Sequence, residues 1–378
     1  MTIAKRIVSL ILLTIILIPS LALAAPGEGS NRVDIMDKLA NHYYLDFKPI
    51  GKVELPRILY YNGGFSFYPN TSSALNSSSG WVDHYYYENP DKISYKEDGS
   101  IYPASYKLVR VETGDSPSID FSLSSHLIWF AISGFLVLFI FARLKGKYSK
   151  ESIDGLVPIG PVQNIFESLV IFVRDDIALA NIGPKKYLKF TPYLLSAFFM
   201  ILFMNLFGLM PWGVTSTADV MITAVLALFT FVITQFAGTK DYWKHVFAMP
   251  GIPKFMLFIM TPVEILGLFT KPFALTVRLF ANMSSGKMLV YSILGMIFIF
   301  GELFGPAVGI GSSVIWVLFT VFIYGIKVFA SFLQAYIFTM FSALYIGIAA
   351  EDHDHHHEEH HLHDSHHHDT AIVSSTHQ

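Results

Sequence analysis

The chain has 378 residues with 26 basic and 29 acidic side chains, so charged residues make up 15% of it, against roughly 25% in an ordinary soluble domain. With 53% hydrophobic residues, 33 Phe and a mean hydropathy of +0.48, the composition argues against a soluble enzyme and for an all-α polytopic membrane protein. The net charge of −3 comes with no Lys/Arg-rich stripe, which excludes nucleic acid as a partner, and the absence of cysteine excludes disulfides, thiolate metal sites and cysteine nucleophiles.

At the N-terminus Lys5-Arg6 precede an apolar run from Ile7 to Ile18, then Pro19 and Ala22-Leu23-Ala24. This layout predicts a signal peptide over residues 1–25, cleaved after Ala24 or Ala25, with an uncleaved first span as the alternative. Residues 26–120 are polar and rich in Tyr, Ser, Asn and Gly, and they predict a small exported β-rich module. Within it, Ile58–Tyr61, Asn62-Gly63-Gly64 and Phe65–Tyr68 read as a β-hairpin, and a second hairpin is expected around Glu97-Asp98-Gly99-Ser100.

The membrane domain is expected over residues 121–350. A span from His126 to Ala142 is followed by Arg143, Lys145, Lys147 and Lys150, which places its end inside and the module outside. Pro161 to Ile182 repeats apolar residues at helical spacing and predicts an interfacial helix. Two ordinary spans follow, Thr191–Met210 and about Asp219–Ala237. Two longer segments, Phe255–Phe300 and Ser313–Ala349, would measure about 69 and 55 Å as single helices against ~30 Å of hydrocarbon. They predict two long, steeply tilted helices joined outside through a loop from Gly301 to Gly311, giving about five crossings and an inside C-terminus.

Residues 351–378 form a His/Asp/Glu-rich tail, read as disordered, that holds eleven of the fifteen histidines and no Lys or Arg. His355, His356, His357, His360 and His361 are its candidate metal donors, although solvated histidines with incidental metal affinity account for the tail more simply.

The chemistry is concentrated where charge is costly. A Lys or Arg at a membrane-helix centre costs roughly 2.5 to 3.5 kcal/mol even on the lenient insertion scale, yet the first long segment carries Glu264, Lys271, Arg278 and Lys287. At about 100° per residue, Glu264, Lys271, Arg278 and Asn282 share one stripe and Lys287 lies opposite. On the last segment Lys327, Gln334 and Tyr345 fall on one line. The lysines could snorkel to an interface and the stripes could be packing seams; a permanently charged guanidinium on a polar seam points instead to an ion route with a mobile carboxylate partner.

These residues carry a resemblance. Lys271-Pro272-Phe273-Ala274-Leu275-Thr276-Val277-Arg278-Leu279-Phe280-Ala281-Asn282-Met283 resembles the signature of subunit a of F-type ATP synthases, and Phe332-Leu333-Gln334-Ala335-Tyr336-Ile337-Phe338 resembles that family's second signature. Asn205 in Met204-Asn205-Leu206 and Asp219 in Ala218-Asp219-Val220 are supporting matches, expected with Lys271 to act as polar support in the membrane. The similarity runs from about Ile119 to Ala350.

The resemblance implies a proton-translocating stator with two half-channels, without a catalytic site or cofactor. Its implied partners are the rotor ring of subunit c, the peripheral stalk subunit b, the soluble ATPase sector and the lipid of a bacterial inner membrane. Arg278 matches the family's essential arginine, Asn282 and Gln334 match polar residues near it, and Glu264 matches a carboxylate toward the cytoplasmic half-channel. The chain departs from the pattern at Lys287 and Lys327, where the family commonly has a carboxylate and an imidazole, and at Gly208, where it has an acid. Lysine relays protons only where its surroundings let it lose one near neutrality, so Glu302 is the expected outer substitute. No phosphate-binding Gly-rich loop with Lys and Ser/Thr occurs, so nucleotide chemistry would belong to partner subunits. The rival readings are a secondary metal transporter, which would need paired His or Asp inside a span, and a membrane-anchored binding module, which leaves Arg278 unexplained.

Overall fold

A computed structural model describes residues 43–47, 51–75, 79–88, 90–92, 107–148, 161–210, 213–247 and 254–351. The signal segment, the hairpin expected around Glu97–Ser100 and the His-rich tail lie outside the described residues. The chain divides into two units, one formed by residues 1–150, 199–223 and 277–334, the other by 151–198, 224–276 and 335–378.

The first unit contains the β-rich module. Tyr44–Phe47 (β1) pairs antiparallel with Gly51–Glu54 (β2), and Arg57–Tyr61 (β3) with Gly64–Tyr68 (β4). Asn62 and Gly63 turn the second hairpin with φ of 47° and 82°, the positive values that a two-residue turn matched to strand twist demands. Thr71–Ala74 (α1) is capped by Asn70, whose side chain accepts from the Ser73 N–H, and the Glu54 carboxylate accepts from the N–H and hydroxyl of Ser72. Trp81–Asp83 (β5), His84–Glu88 (α2) and Leu108–Arg110 (β6) follow, with β5 and β6 paired. Ile119–Asp120 (β7) then adds to β3, giving a sheet in the order β4-β3-β7.

Leu59, Leu75, Trp81 and Leu108 form the module's core. Arg57 is sealed in beside it at 1% exposure, its guanidinium 3.6 Å from the Tyr43 ring centre and 3.6 Å from the Asp120 carboxylate. Burial pulls the Arg57 pKa down, and the Asp120 charge opposes that pull.

The remaining elements are helices: Ser125–Tyr148 (α3), Pro161–Phe172 (α4), Tyr187–Phe207 (α5), Val220–Ala237 (α6), Lys240–Phe247 (α7), Lys254–Phe304 (α8) and Pro306–Ala350 (α9). Among the described residues five of them, α3, α5, α6, α8 and α9, are long and apolar enough to cross a membrane. The helix expected to be interfacial continues past α4 through a π-helical segment, Val173–Leu179, to Ile182, and stops at Gly183, whose φ is 85°.

One expectation needs correction. The Gly301–Gly311 loop does not exist: α8 runs to Phe304, α9 begins at Pro306, and Gly305 alone, at φ 93°, makes the turn. Gly past the last helical residue and Pro at the first follow the usual asymmetry of helix ends. Gly301 and Gly309 serve packing, since a Cβ on Gly309 would lie 2.7 Å from the Gly301 Cα. Glu302 is therefore an exposed residue of the last turn of α8, not of a loop. In keeping with the single long helix expected, α8 stays helical through Pro262 and Pro272 over all 51 residues, about 76 Å.

In the first unit α3 packs on the end of α5, with the Trp129 and Phe207 rings 5.3 Å apart and those of Phe141 and Phe199 5.2 Å apart. The second unit is held by hydroxyls and helix ends. Tyr193 and Thr230 hydroxyls lie 2.6 Å apart, Lys186 Nζ donates to the Ala350 carbonyl at 2.7 Å, and the Thr239 N–H donates to the Ala349 carbonyl at 3.0 Å.

Candidate functional site

Within the first unit, the stripes on α8 and α9 meet through neutral amides. Asn282 Nδ2 donates to Gln334 Oε1 at 2.7 Å, and Gln334 is only 2% exposed. A buried amide bonded to another amide satisfies polar groups that hydrocarbon would leave stranded. Arg278, one helical turn before Asn282, is half-buried.

One turn beyond Asn282 the helix is pared to Gly286, and the aliphatic end of Lys327 occupies the space; a Cβ there would lie 2.8 Å from Lys327 Nζ. Lys287 is the next residue and is half-buried. The two departures from the family pattern thus stand at one place between α8 and α9, while Glu302 sits far along α8 near its end.

A second polar cluster in the same unit surrounds the start of α6. Thr217 Oγ1 donates to Asn205 Oδ1 at 2.6 Å, Ser216 Oγ donates to the His126 carbonyl at 2.8 Å, and Asp219 Oδ1 accepts the Met221 N–H at 2.8 Å. The Asp219 carboxylate also lies 3.6 Å from His126 Nδ1. Ser284, between Asn282 and Lys287, donates to the Ala218 carbonyl at 3.4 Å and so joins α8 to this cluster. His126 was not among the expected site residues; the available signal was an imidazole at the very head of the first span, following Ser124-Ser125.

In the second unit, Lys271 Nζ lies 5.4 Å from the Tyr345 ring centre. These two line a small cavity with Thr230, Thr234, Gln235 and Pro272. Glu264 lies two helical turns before Lys271 and is half-buried. Tyr345 therefore shares the α9 stripe with Gln334 but meets Lys271. Among the described residues no group of three or more His, Asp or Glu could hold a metal ion, and the candidate tail histidines fall outside them.

The family model for the ATP synthase A chain matches residues 127–347, more than half of the chain and all of the long helices except their outermost turns. The chain belongs to the ATP synthase A chain family. It is 45% identical over 247 residues to ATP synthase subunit a of Anaeromyxobacter sp. (strain Fw109-5), covering 63% of this chain and 56% of that protein. It is 42% identical over 252 residues to ATP synthase subunit a of Myxococcus xanthus, covering 63% and 78%, and 44% identical over 244 residues to ATP synthase subunit a 2 of Chlorobaculum tepidum, covering 63% and 66%. The chain thus spans between 56% and 78% of the length of these curated relatives. Arg278, Asn282, Gln334 and both departing lysines lie inside the stretch matched by the family, whereas the β-rich module lies outside it.

Proposed function

We propose that this chain is the proton-conducting stator of an ATP synthase membrane sector in a bacterial inner membrane. In this role it bears against a rotor ring of subunit c and is held by the peripheral stalk subunit b and the soluble ATPase sector. The signal peptide (1–25), exported module (26–120), membrane domain (121–350) and tail (351–378) are the corresponding divisions. The observation that carries the reading is the Asn282–Gln334 hydrogen bond beside Arg278, a polar seam between two long, predominantly apolar helices.

Arg278 supplies the chemistry, because a guanidinium stays charged at every physiological pH. A ring carboxylate arriving beside it is favoured as the anion and releases its proton into one half-channel. The same fixed charge repels protons that would otherwise leak directly between the half-channels. Asn282 and Gln334 hold the seam, Glu264, Lys271 and Tyr345 mark the cytoplasmic approach, and Asn205 and Asp219 support the outer side with Lys287 and Lys327. Each proton crossing makes available about 2.3 kcal/mol per 100 mV for rotation.

ATP-driven acidification of inverted membrane vesicles tests the reading. Arg278→Ala, at equal assembly, is expected to abolish it; persisting acidification removes Arg278 from the mechanism. Glu302, exposed at the end of α8, is assigned the outer proton entry, with water completing the path. Glu302→Gln is expected to slow pumping, and an unchanged rate refutes that assignment.

A further inference from the structure

The β4-β3-β7 sheet is apolar on the side that should be polar. An antiparallel sheet packed on one face ordinarily alternates apolar-in and polar-out. Here Leu59 and Tyr61 face the core, with Arg57 and Asp120 on that same side. The pairing sets Ile58 opposite Phe67, Tyr60 opposite Phe65, and Ile119 opposite Tyr60. By strand alternation Phe121 joins the same outer face. All six residues of that face are apolar or aromatic. Phe65, Phe67, Phe121 and Ile119 are 70%, 68%, 56% and 48% exposed. The Phe65 ring lies 4.8 Å from that of Tyr60 and 6.3 Å from that of Phe121, so the patch is continuous. A contiguous exposed patch of this kind marks an interaction surface.

Its position points to the occupant. The sheet is not tethered loosely to the membrane domain: Phe121 N–H donates to the Ile58 carbonyl at 2.9 Å, and Ile58 N–H donates to Ser122 Oγ at 3.0 Å. Bonding to β3 therefore persists to within three residues of Ser125, where the first spanning helix begins. Four residues of extended chain reach at most about 14 Å, so Phe121 cannot lie farther than that from the head of α3. The headgroup layer itself extends about 5 to 8 Å beyond the hydrocarbon on each side. We infer that the Phe65/Phe67/Phe121 face of the module is seated in the lipid headgroup region of the leaflet on the module's own side. The module is thereby an interfacial anchor that fixes the outer end of α3, with the aromatic rings at the depth where amphipathic surfaces bind bilayers.

The chain contains no cysteine, so single-cysteine variants take up one label each. Phe65→Cys, Phe67→Cys and Phe121→Cys, in the full-length chain, would be spin-labelled and reconstituted in phosphatidylcholine–phosphatidylglycerol vesicles. Glu112→Cys, on the exposed turn after β6, supplies the water-facing reference. Collision rates with oxygen, which partitions into lipid, and with a nickel chelate, which stays in water, read the environment. The expected result is oxygen exceeding nickel at the three sheet positions, the inverse of Glu112. Nickel exceeding oxygen means the face is bathed in water and overturns the inference. Protection from both means another protein surface or a second copy covers it, and overturns it equally. Three positions, two on β4 and one just past β7, keep the test decisive if one variant misfolds.

Discussion

Two arginines in this chain occupy contrasting settings. Arg57 is 1% exposed and fixed between the Tyr43 ring and the Asp120 carboxylate, inside a module that lies outside the family match. Arg278 is half-buried on a helix of the membrane domain, one turn from an amide pair that spans two helices. A guanidinium enclosed by aromatic and carboxylate groups holds strands together, because removing it strands its partner. A guanidinium on a membrane-spanning helix is costly to place there, and under the proposed function its value lies in the ring carboxylate that passes it.

That contrast predicts opposite phenotypes. Arg278→Ala should remove ATP-driven proton pumping while leaving the protease resistance of the β-rich module unchanged. Arg57→Met should do the reverse. Breaking a buried pair costs about 3 kcal/mol at the lower end of the observed range, appropriate because Asp120 keeps some solvent contact. Where opening is fast relative to cleavage, this is on the order of a hundredfold rise in proteolysis of the module, readable in intact vesicles. Equal protease resistance in Arg57→Met would mean that Tyr43 and the β3-β7 pairing hold the strand without the charge.

The same contrast explains what the sequence disclosed. Spans, the amphipathic helix from Pro161 and the Asn62-Gly63 hairpin follow from apolar periodicity and turn chemistry, which are local. The α8–α9 junction was misleading because Gly301, Gly305, Pro306, Gly309 and Gly311 together resemble a loop. In an apolar setting the backbone keeps its helical hydrogen bonds, and Gly309 becomes a point of close helix approach to Gly301. The π-helical stretch after α4 has no pattern of its own, and β7 is two residues whose pairing with β3 is entirely long-range. For the site, helical phase placed Arg278 and Asn282 on one stripe. Which residues face them across helices is a matter of tertiary register: the resemblance put Gln334 near Arg278, but its hydrogen bond to Asn282 and the His126–Asp219 and Gly286–Lys327 approaches emerged only with the fold.

The smallest expected structural effect is at Gly286, and it separates the two lysines from mere packing. A methyl group there would meet the end of the Lys327 side chain, which is flexible and can turn aside, rather than a fixed backbone. Overpacking is therefore small, and replacing a helical glycine with alanine returns about 0.5 to 1 kcal/mol of backbone entropy. Gly286→Ala should accordingly unfold at the same temperature as the parent or slightly above it. Its ammonium, however, must leave the position beside α8 where it now rests. If Lys327 lies on the proton route, vesicle acidification falls severalfold in Gly286→Ala with assembly and stability intact, and recovers in part when Lys327 is shortened at the same time. Pumping at the parental rate would show that the place of this ammonium is immaterial, and would move the outer half of the route toward His126, Asp219 and Glu302.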